Sequence, residues 1–339
     1  MALTQVDQGL LGQYAQYTGF KNRIINGAMM IDQRNAGASG TAAGYTVDRF
    51  AYYSTQASKI TWQQNAGSVT PPTGFKNYLG FTSSSAYSVL STDYFIMDQA
   101  IEGLNLADMG FGTGAASTFT VSFWVRSSLT GTFGGAICNG ANDRSYPFSF
   151  TISAANTWEQ KSITVAGDTT GTWLTTNGTG LNLYISLGAG SSNTATAGAW
   201  TAGFKPAPTG ATSVVGTNGA TFYITGVQLE KGTTATSFDY RPYGTELALC
   251  QRYYEVLNGS GSSILLFPET ASFCRNSFPY KVTKRTNATI SGGTGGAEGG
   301  GTWTPLYSGY VESWSISAYY GSALVRPNIA GLVIASAEL

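Results

Sequence analysis

The stretch Thr221 to Gly244, TFYITGVQLEKGTTATSFDYRPYG, alternates between two faces in its first half. Phe222, Ile224, Gly226 and Gln228 fall on one side, and Tyr223, Thr225, Val227 and Leu229 on the other. β-Branched and aromatic residues at that period predict a strand over 221–229. Glu230-Lys231-Gly232 ends it in a turn, and residues 238–243 return as a short extended strap that Pro242 confines to an edge or an exit. The same period recurs upstream at the spacing of a sandwich. It predicts strands over 47–54, 59–64, 78–82, 94–101, 119–126, 132–138, 146–152, 159–165 and 181–187. In the 119–126 segment Phe119, Val121, Phe123 and Val125 share one face, with Trp124 and Arg126 on the other. Asn-Gly pairs at 139–140, 177–178 and 218–219 suit tight hairpins. This pattern predicts two stacked sheets in a jelly roll. A propeller or β-helix would need internal repeats that the sequence does not contain.

Composition bounds the rest. A chain of 339 residues predicts two domains. Its charged fraction is 11%, against roughly 25% in an average soluble protein, so Ser, Thr, Asn and Gly carry the polarity. Eighteen basic and eighteen acidic residues cancel, which argues against nucleic acid as a partner, since phosphate binding needs a basic excess. A weakly charged surface suits neutral polar polymers or copies of itself. The absence of histidine excludes Ser-His-Asp and Cys-His catalysis and His-ligated zinc. Cys138, Cys250 and Cys274 form no CxxC pair and are expected to be reduced and buried. No apolar run approaches the roughly 18 residues of a membrane span, and residues 1–19 lack the blocks of a signal peptide. Synthesis in a cytoplasm without membrane insertion is therefore expected.

Three regions follow. Residues 1–44 read as an N-terminal arm and linker for attachment or subunit contact. In it Val6, Leu10, Leu11 and Tyr14 permit a short helix, residues 22–31 read as a strand with an Asn26-Gly27 turn, and residues 36–44 as linker. Residues 45–244 form the jelly-roll β-sandwich, and within it the Ala/Gly/Ser/Thr-rich stretch 188–218 is expected to be a surface loop that tolerates shortening. Residues 245–339 comprise a connecting helix and a smaller C-terminal β-sandwich. The helix is predicted over 245–254, capped by Thr245, with Leu247, Cys250 and Tyr254 on one face. Strands are predicted over 263–267, 271–276, 280–284, 312–320 and 330–338, and a flexible loop over the glycine-rich 291–301.

Three pieces carry a resemblance. NRIINGAMMIDQRN (22–35) followed by YTVDRF (45–50) opens the pattern, GVQLEKGTTATSFDYRPYGTEL (226–247) continues it, and SAEL ends the chain. They resemble jelly-roll, carbohydrate-binding-module-like domains carried by bacteriophage tail-fibre and related virion proteins. The resemblance implies a virion structural protein that is made in the host cytoplasm, is not an enzyme and uses no cofactor. It also implies a homotrimer, contact with other virion proteins through the N-terminal arm, and attachment to host surface polysaccharide or lipopolysaccharide. The alternative is a purely structural virion part, a capsid decoration or tail adaptor, with no glycan site.

Sugar recognition needs flat aromatic faces with a few amides or carboxylates. The end of the chain supplies that mixture in Trp303, Tyr307, Tyr310, Glu312, Trp314 and Tyr319. Between Trp303 and Val311 there is no strand alternation, with Pro305 and Gly309 breaking it, which predicts a loop carrying Trp303, Tyr307 and Tyr310 ahead of the 312–320 strand; packing at an interface is the competing use. Trp62, Trp158, Trp173 and Trp200 offer similar rings less densely. Asp93, Asp98, Glu102 and Asp108 cluster in sequence, but 94–101 reads as a structural strand, so no catalytic carboxylate pair is assigned. Asn142, Asp143 and Asp168 lie on predicted turns, where such residues serve either calcium or their own backbone; no metal site is assigned.

Overall fold

The structure is a computed structural model, described for residues 21–259, 263–266, 268–270, 273–298, 302–303, 305–319 and 325–339. The helix expected around Val6 to Tyr14 lies outside the described residues. The chain divides into two compact units, with the break between Arg241 and Pro242.

The first unit is a jelly-roll β-sandwich. Its strands are β1 (Gly44–Val47), β2 (Phe50–Ser54), β3 (Ile60–Gln64), β4 (Leu79–Ser83), β5 (Tyr94–Glu102), β6 (Phe119–Ser127) and β7 (Gly131–Asn139). They continue as β8 (Arg144–Ile152), β9 (Glu159–Val165), β10 (Thr179–Ala189), β11 (Thr194–Ala195), β12 (Thr201–Ala202), β13 (Ala207–Pro208) and β14 (Thr221–Lys231). One antiparallel sheet has the order β1-β2-β5-β10-β7-β8-β12 and the other β3-β4-β14-β6-β9. Between them the alternating faces of β6, β5, β10 and β8 bury Phe123, Phe95, Leu183 and Phe150, with Phe123 and Phe150 meeting edge to face at 5.1 Å. Trp62, one of the rings weighed for binding, lies in this core and donates Nε1–H to the Ala42 carbonyl at 2.9 Å.

Alternation places the strands but misses three local events. The strand expected over 47–54 is two, because Arg49 takes a positive φ of 70° and turns the chain into a β1–β2 hairpin. The face assignment of β14 holds only as far as Thr225. There a bulge shifts the register between Thr225 and Gln228, and Gly226, at φ 62°, carries the extra residue. The phase flips, so Phe222, Ile224, Val227 and Leu229 face the core while Gln228 and Glu230 do not. The third event is at residues 22–31, which form neither a strand nor part of a free arm. They lie buried along β14: Arg23 N–H donates to Leu229 O and Val227 N–H to Gly27 O, both at 2.9 Å. The Gln99 side chain bonds the Ile25 backbone in both directions. The strap at 238–240 forms no strand; Arg241 fixes its end by donating to the Asn22 and Ile24 carbonyls.

The expectation for 188–218 is overturned. Val214 and Val215 are buried in the core and Trp200 packs on its edge, while β12 adds to the seven-stranded sheet beside β8. Pro208 lies on β7 because Gly134 has no side chain; a Cβ there would stand 2.2 Å from Pro208 Cγ. Low sequence complexity concealed a segment that packs partly on the outer face of the sheet and partly into the core.

The second unit is a smaller β-sandwich preceded by a helix, α1 (Tyr243–Gln251). The helix begins earlier than expected, behind Pro242, and ends before Tyr254, which opens β15 (Tyr254–Asn258). Then come β16 (Ser263–Leu265), β17 (Pro268–Thr270), β18 (Phe273–Pro279), β19 (Thr289–Glu298), β20 (Thr302–Trp303), β21 (Leu306–Gly309), β22 (Ser313–Tyr319) and β23 (Val325–Ser336). One sheet runs β15-β23-β19-β20, with β16 also on β23, and the other β17-β18-β22-β21. Of the glycine-rich stretch expected to be a flexible loop, residues 291–298 belong to strand β19, paired along β23. A long partner supplied the order that local propensity withheld. Residues 280–284, expected to be a strand, are irregular, and there Lys284 is buried against Glu255 at 2.5 Å.

Candidate functional site

A cleft of about 370 Å³ opens on the outer face of the seven-stranded sheet, lined by Tyr53, Tyr94, Ile96, Asn142, Tyr184 and Phe204. That volume is within the range of small-ligand sites, roughly 300–1,000 Å³. Pairing puts the sheet residues in rows. Tyr53 on β2 stands opposite Ile96 on β5, and Tyr184 on β10 stands opposite Asp98 on β5 and Ala136 on β7. Residues at i and i+2 on a strand share a face, so Tyr94, Ile96 and Asp98 project to the same side. The opposite side of β5 enters the core with Phe95 and Met97.

The remaining wall comes from the 188–218 segment. Phe204 meets Tyr94 edge to face at 5.4 Å and Tyr184 at 5.6 Å. Its backbone is held from both sides. Ser145 Oγ–H donates to Gly203 O at 2.7 Å and accepts from Lys205 N–H at 3.0 Å. Cys138 Sγ lies 3.0 Å from the same hydroxyl. Asn142, with a positive φ of 57° in the β7–β8 turn, brings its amide oxygen to the rim, where it accepts from Tyr184 Oη–H at 3.0 Å.

The electrostatics under the cleft are unusual for so neutral a chain. Asp98 is 7% exposed, and burial, partly offset by Arg49, pushes its carboxyl up to about 7. Burial raises the Tyr184 phenol as well, with the Asp98 and Cys138 charges adding to it. It also pushes the Cys138 thiol up to about 12, so this cysteine is an inert, buried side chain. Asp93, at the start of β5, behaves oppositely. Burial would raise it, but hydrogen bonds from Tyr87, the Leu90 amide, Gln56 and Thr55 hold it at about 2. The other two acids of the sequence cluster are separated from the cleft: Glu102 is buried at the end of β5, and Asp108 pairs with Arg23 at 2.9 Å.

The C-terminal residues named from sequence take varied places. Trp314, 3% exposed, is a core side chain whose ring lies against Phe278 at 4.9 Å, so it offers no face to a ligand. Tyr307 is half-buried on β21, donates its hydroxyl to Gly292 O at 2.6 Å and packs on Trp314 at 6.4 Å. Tyr310, 54% exposed, and Glu312 lie at the exposed turn between β21 and β22. The side chains of Trp303 and Tyr319 lie outside the described residues. The structure thus brings Tyr307 and Trp314 together, as packing, and leaves Tyr310 and Glu312 at the surface. Of the turn residues weighed for calcium, Asp168 is gripped by Arg144 through two bonds of 2.8 and 2.9 Å, and Asp143 accepts from Asn139. Trp173 and Trp200 meet edge to face at 5.4 Å on the rim of the core, and Trp158 covers Tyr78.

No family model matches the chain, and no curated protein matches it. Among solved structures it is similar to the enzymatically active domain of tailspike protein 4 of bacteriophage CBA120. The match has a TM-score of 0.36 and 10% identity, and covers 62% of this chain and 21% of that one. The chain thus spans about a fifth of the tailspike domain's length. A putative sugar binding protein from Bacteroides thetaiotaomicron matches with TM-score 0.36 and 11% identity, over 62% of this chain and 100% of that one. A family 11 carbohydrate-binding module from Clostridium thermocellum, in complex with a β-1,3-1,4-mixed-linked tetrasaccharide, matches with TM-score 0.31 and 12% identity, over 59% and 99%. Likenesses this distant carry no argument about function, which rests on the cleft's own geometry.

Proposed function

We propose that this chain is a non-catalytic glycan-binding component of a bacteriophage virion, a tail-fibre or receptor-binding protein that meets host polysaccharide or lipopolysaccharide. The observation that carries the binding reading is the cleft. Tyr53, Tyr94 and Phe204 are only half-buried around it, and the Asn142 amide sits at its rim. Ring faces take the C–H side of a sugar, and amide and phenol groups take its hydroxyls. The reading is of binding without turnover because Asp98 has Ala51 and Tyr184, neither of them an acid, as its partners across the strands, whereas glycoside hydrolysis works with two carboxyl groups flanking the bond.

The virion assignment is supported by the sequence stretches at 22–35, 45–50 and 226–247. It carries with it the homotrimer, in which three weak sites would act together on a repeating polymer. Light scattering of the purified chain should give three times the chain mass of 35.6 kDa; a monomer at micromolar concentration removes the trimer. Binding is tested on a panel of surface polysaccharides. Tyr94→Ala should weaken the best ligand by at least about tenfold, as losing a stacked ring typically does, with little change in melting temperature. Equal binding by the variant, or no ligand in the panel, would sink the assignment of the cleft.

A further inference from the structure

Beneath the residues that line the cleft, stacking leaves one group unused. Asp98 projects from the same face as Tyr94 and Ile96, and its Oδ1 is buried without a hydrogen-bond partner. Its neighbours across the strands do not supply one: Ala51 has no donor on its side chain, and Tyr184 gives its hydroxyl to Asn142. The Arg49 guanidinium, from the β1–β2 hairpin, donates to Ala100 O at 2.6 Å. A buried carboxyl oxygen left in this state is costly, and a donor entering with a ligand would relieve it. The rings of Tyr53, Tyr94, Tyr184 and Phe204 line the cleft above it, and aromatic faces attract a cation.

A carboxylate beneath and rings around favour a compact ammonium over a hydroxyl, which carries no charge, and over an N-acetyl amide, which is neutral and larger. We propose that the cleft selects saccharides bearing a free primary amine, with the ammonium of an amino sugar paired to Asp98 and its ring stacked on the aromatic walls. This rests on the glycan-binding reading and narrows its substrate class. The titratable and charged groups facing Asp98 are Tyr184 from β10, Cys138 from β7 and Arg49 from the hairpin. Burial keeps the phenol and the thiol neutral, so the ammonium would meet one negative charge and one standing positive charge. Affinity should therefore rise with pH as Asp98 ionises near 7, and fall again once the amine loses its proton.

The test is calorimetric titration of the full chain with oligomers of glucosamine, N-acetylglucosamine and glucose of matched linkage and length. The expected result is at least about tenfold tighter binding of the glucosamine oligomer. Asp98→Asn should abolish that preference, and Tyr94→Ala should weaken all three oligomers together. Wild type that binds the three equally, or an Asp98→Asn variant that keeps the preference, overturns the amine assignment and leaves glycan binding standing. Affinity for the glucosamine oligomer that stays flat from about pH 5 to 7 overturns it as well, without requiring the variant to fold. Failure to bind any oligomer overturns both readings.

Discussion

Replacing Lys284 by methionine should destabilise the C-terminal unit by about 3–5 kcal/mol, the usual cost of orphaning a buried charge. Lys284 and Glu255 are both buried, and their Nζ–Oε2 distance is 2.5 Å. Lys284 also donates to Gln251 O and lies 4.6 Å from the Tyr280 ring centroid. Burial lowers the lysine's pKa, and Glu255 opposes that. Without the ammonium, Glu255 is left to the exposed Lys281, whose Nζ is 3.9 Å away. The net value of the intact pair is a different matter, because the desolvation of two ions largely offsets their attraction. The double variant Lys284→Met with Glu255→Gln should accordingly recover most of the loss. Hydrogen exchange of the β18 and β22 amides reads the stability of this unit directly. A single variant within about 1 kcal/mol of wild type would mean that water reaches the pair.

The second large effect is a pH dependence centred on Asp98. Its folded pKa of about 7 stands above the ordinary value of 3.8, so between those values the folded state binds the extra proton. Stability from this group is fully present below about pH 4, is lost as pH rises to 7, and stays level above. Three units at 1.36 kcal/mol each make a loss of about 4 kcal/mol. Asp93 works the other way. Its folded pKa of about 2 gives stability that is present above the ordinary carboxylate range and lost in strong acid. Comparing wild type with Asp98→Asn by urea denaturation from about pH 4 to 8 isolates this contribution. The variant should gain on wild type by about 4 kcal/mol across that window; a constant difference would mean that the carboxylate is solvated in the fold.

The sheet architecture was legible because alternation is a direct record of burial. Phe119, Val121, Phe123 and Val125 share a face in sequence and all enter the core. The bulge was not legible, since Gly226 fits the period of either face and only pairing with β6 shows the extra residue. The cleft was hidden for a related reason. Tyr53, Tyr94, Asn142, Tyr184 and Phe204 come from separate segments, and no window of sequence holds two of them. One signal was available: in the β5 sequence YFIMDQAIE, Phe95, Met97 and Ile101 on one face are matched by Tyr94, Ile96 and Ala100 on the other, which a half-solvated strand would not show. The dense aromatic cluster at the C-terminus drew attention instead. There Trp314, on the expected strand, serves the core, because β22 places it between its neighbours.

β14 lies between β4 and β6 in the middle of its sheet, although it is the last strand of the first unit to be made. Until residue 231 has left the ribosome, β4 and β6 each present an unpaired edge facing a gap one strand wide. Such edges accept any extended chain that reaches them first. The nascent protein therefore carries, for more than a hundred residues of synthesis after β6 begins at Phe119, a slot that another copy's β14 could fill. Slow translation or high local concentration would then favour strand-exchanged oligomers over a sandwich closed by its own strand, and holding the slot open until that strand arrives is a task suited to a chaperone.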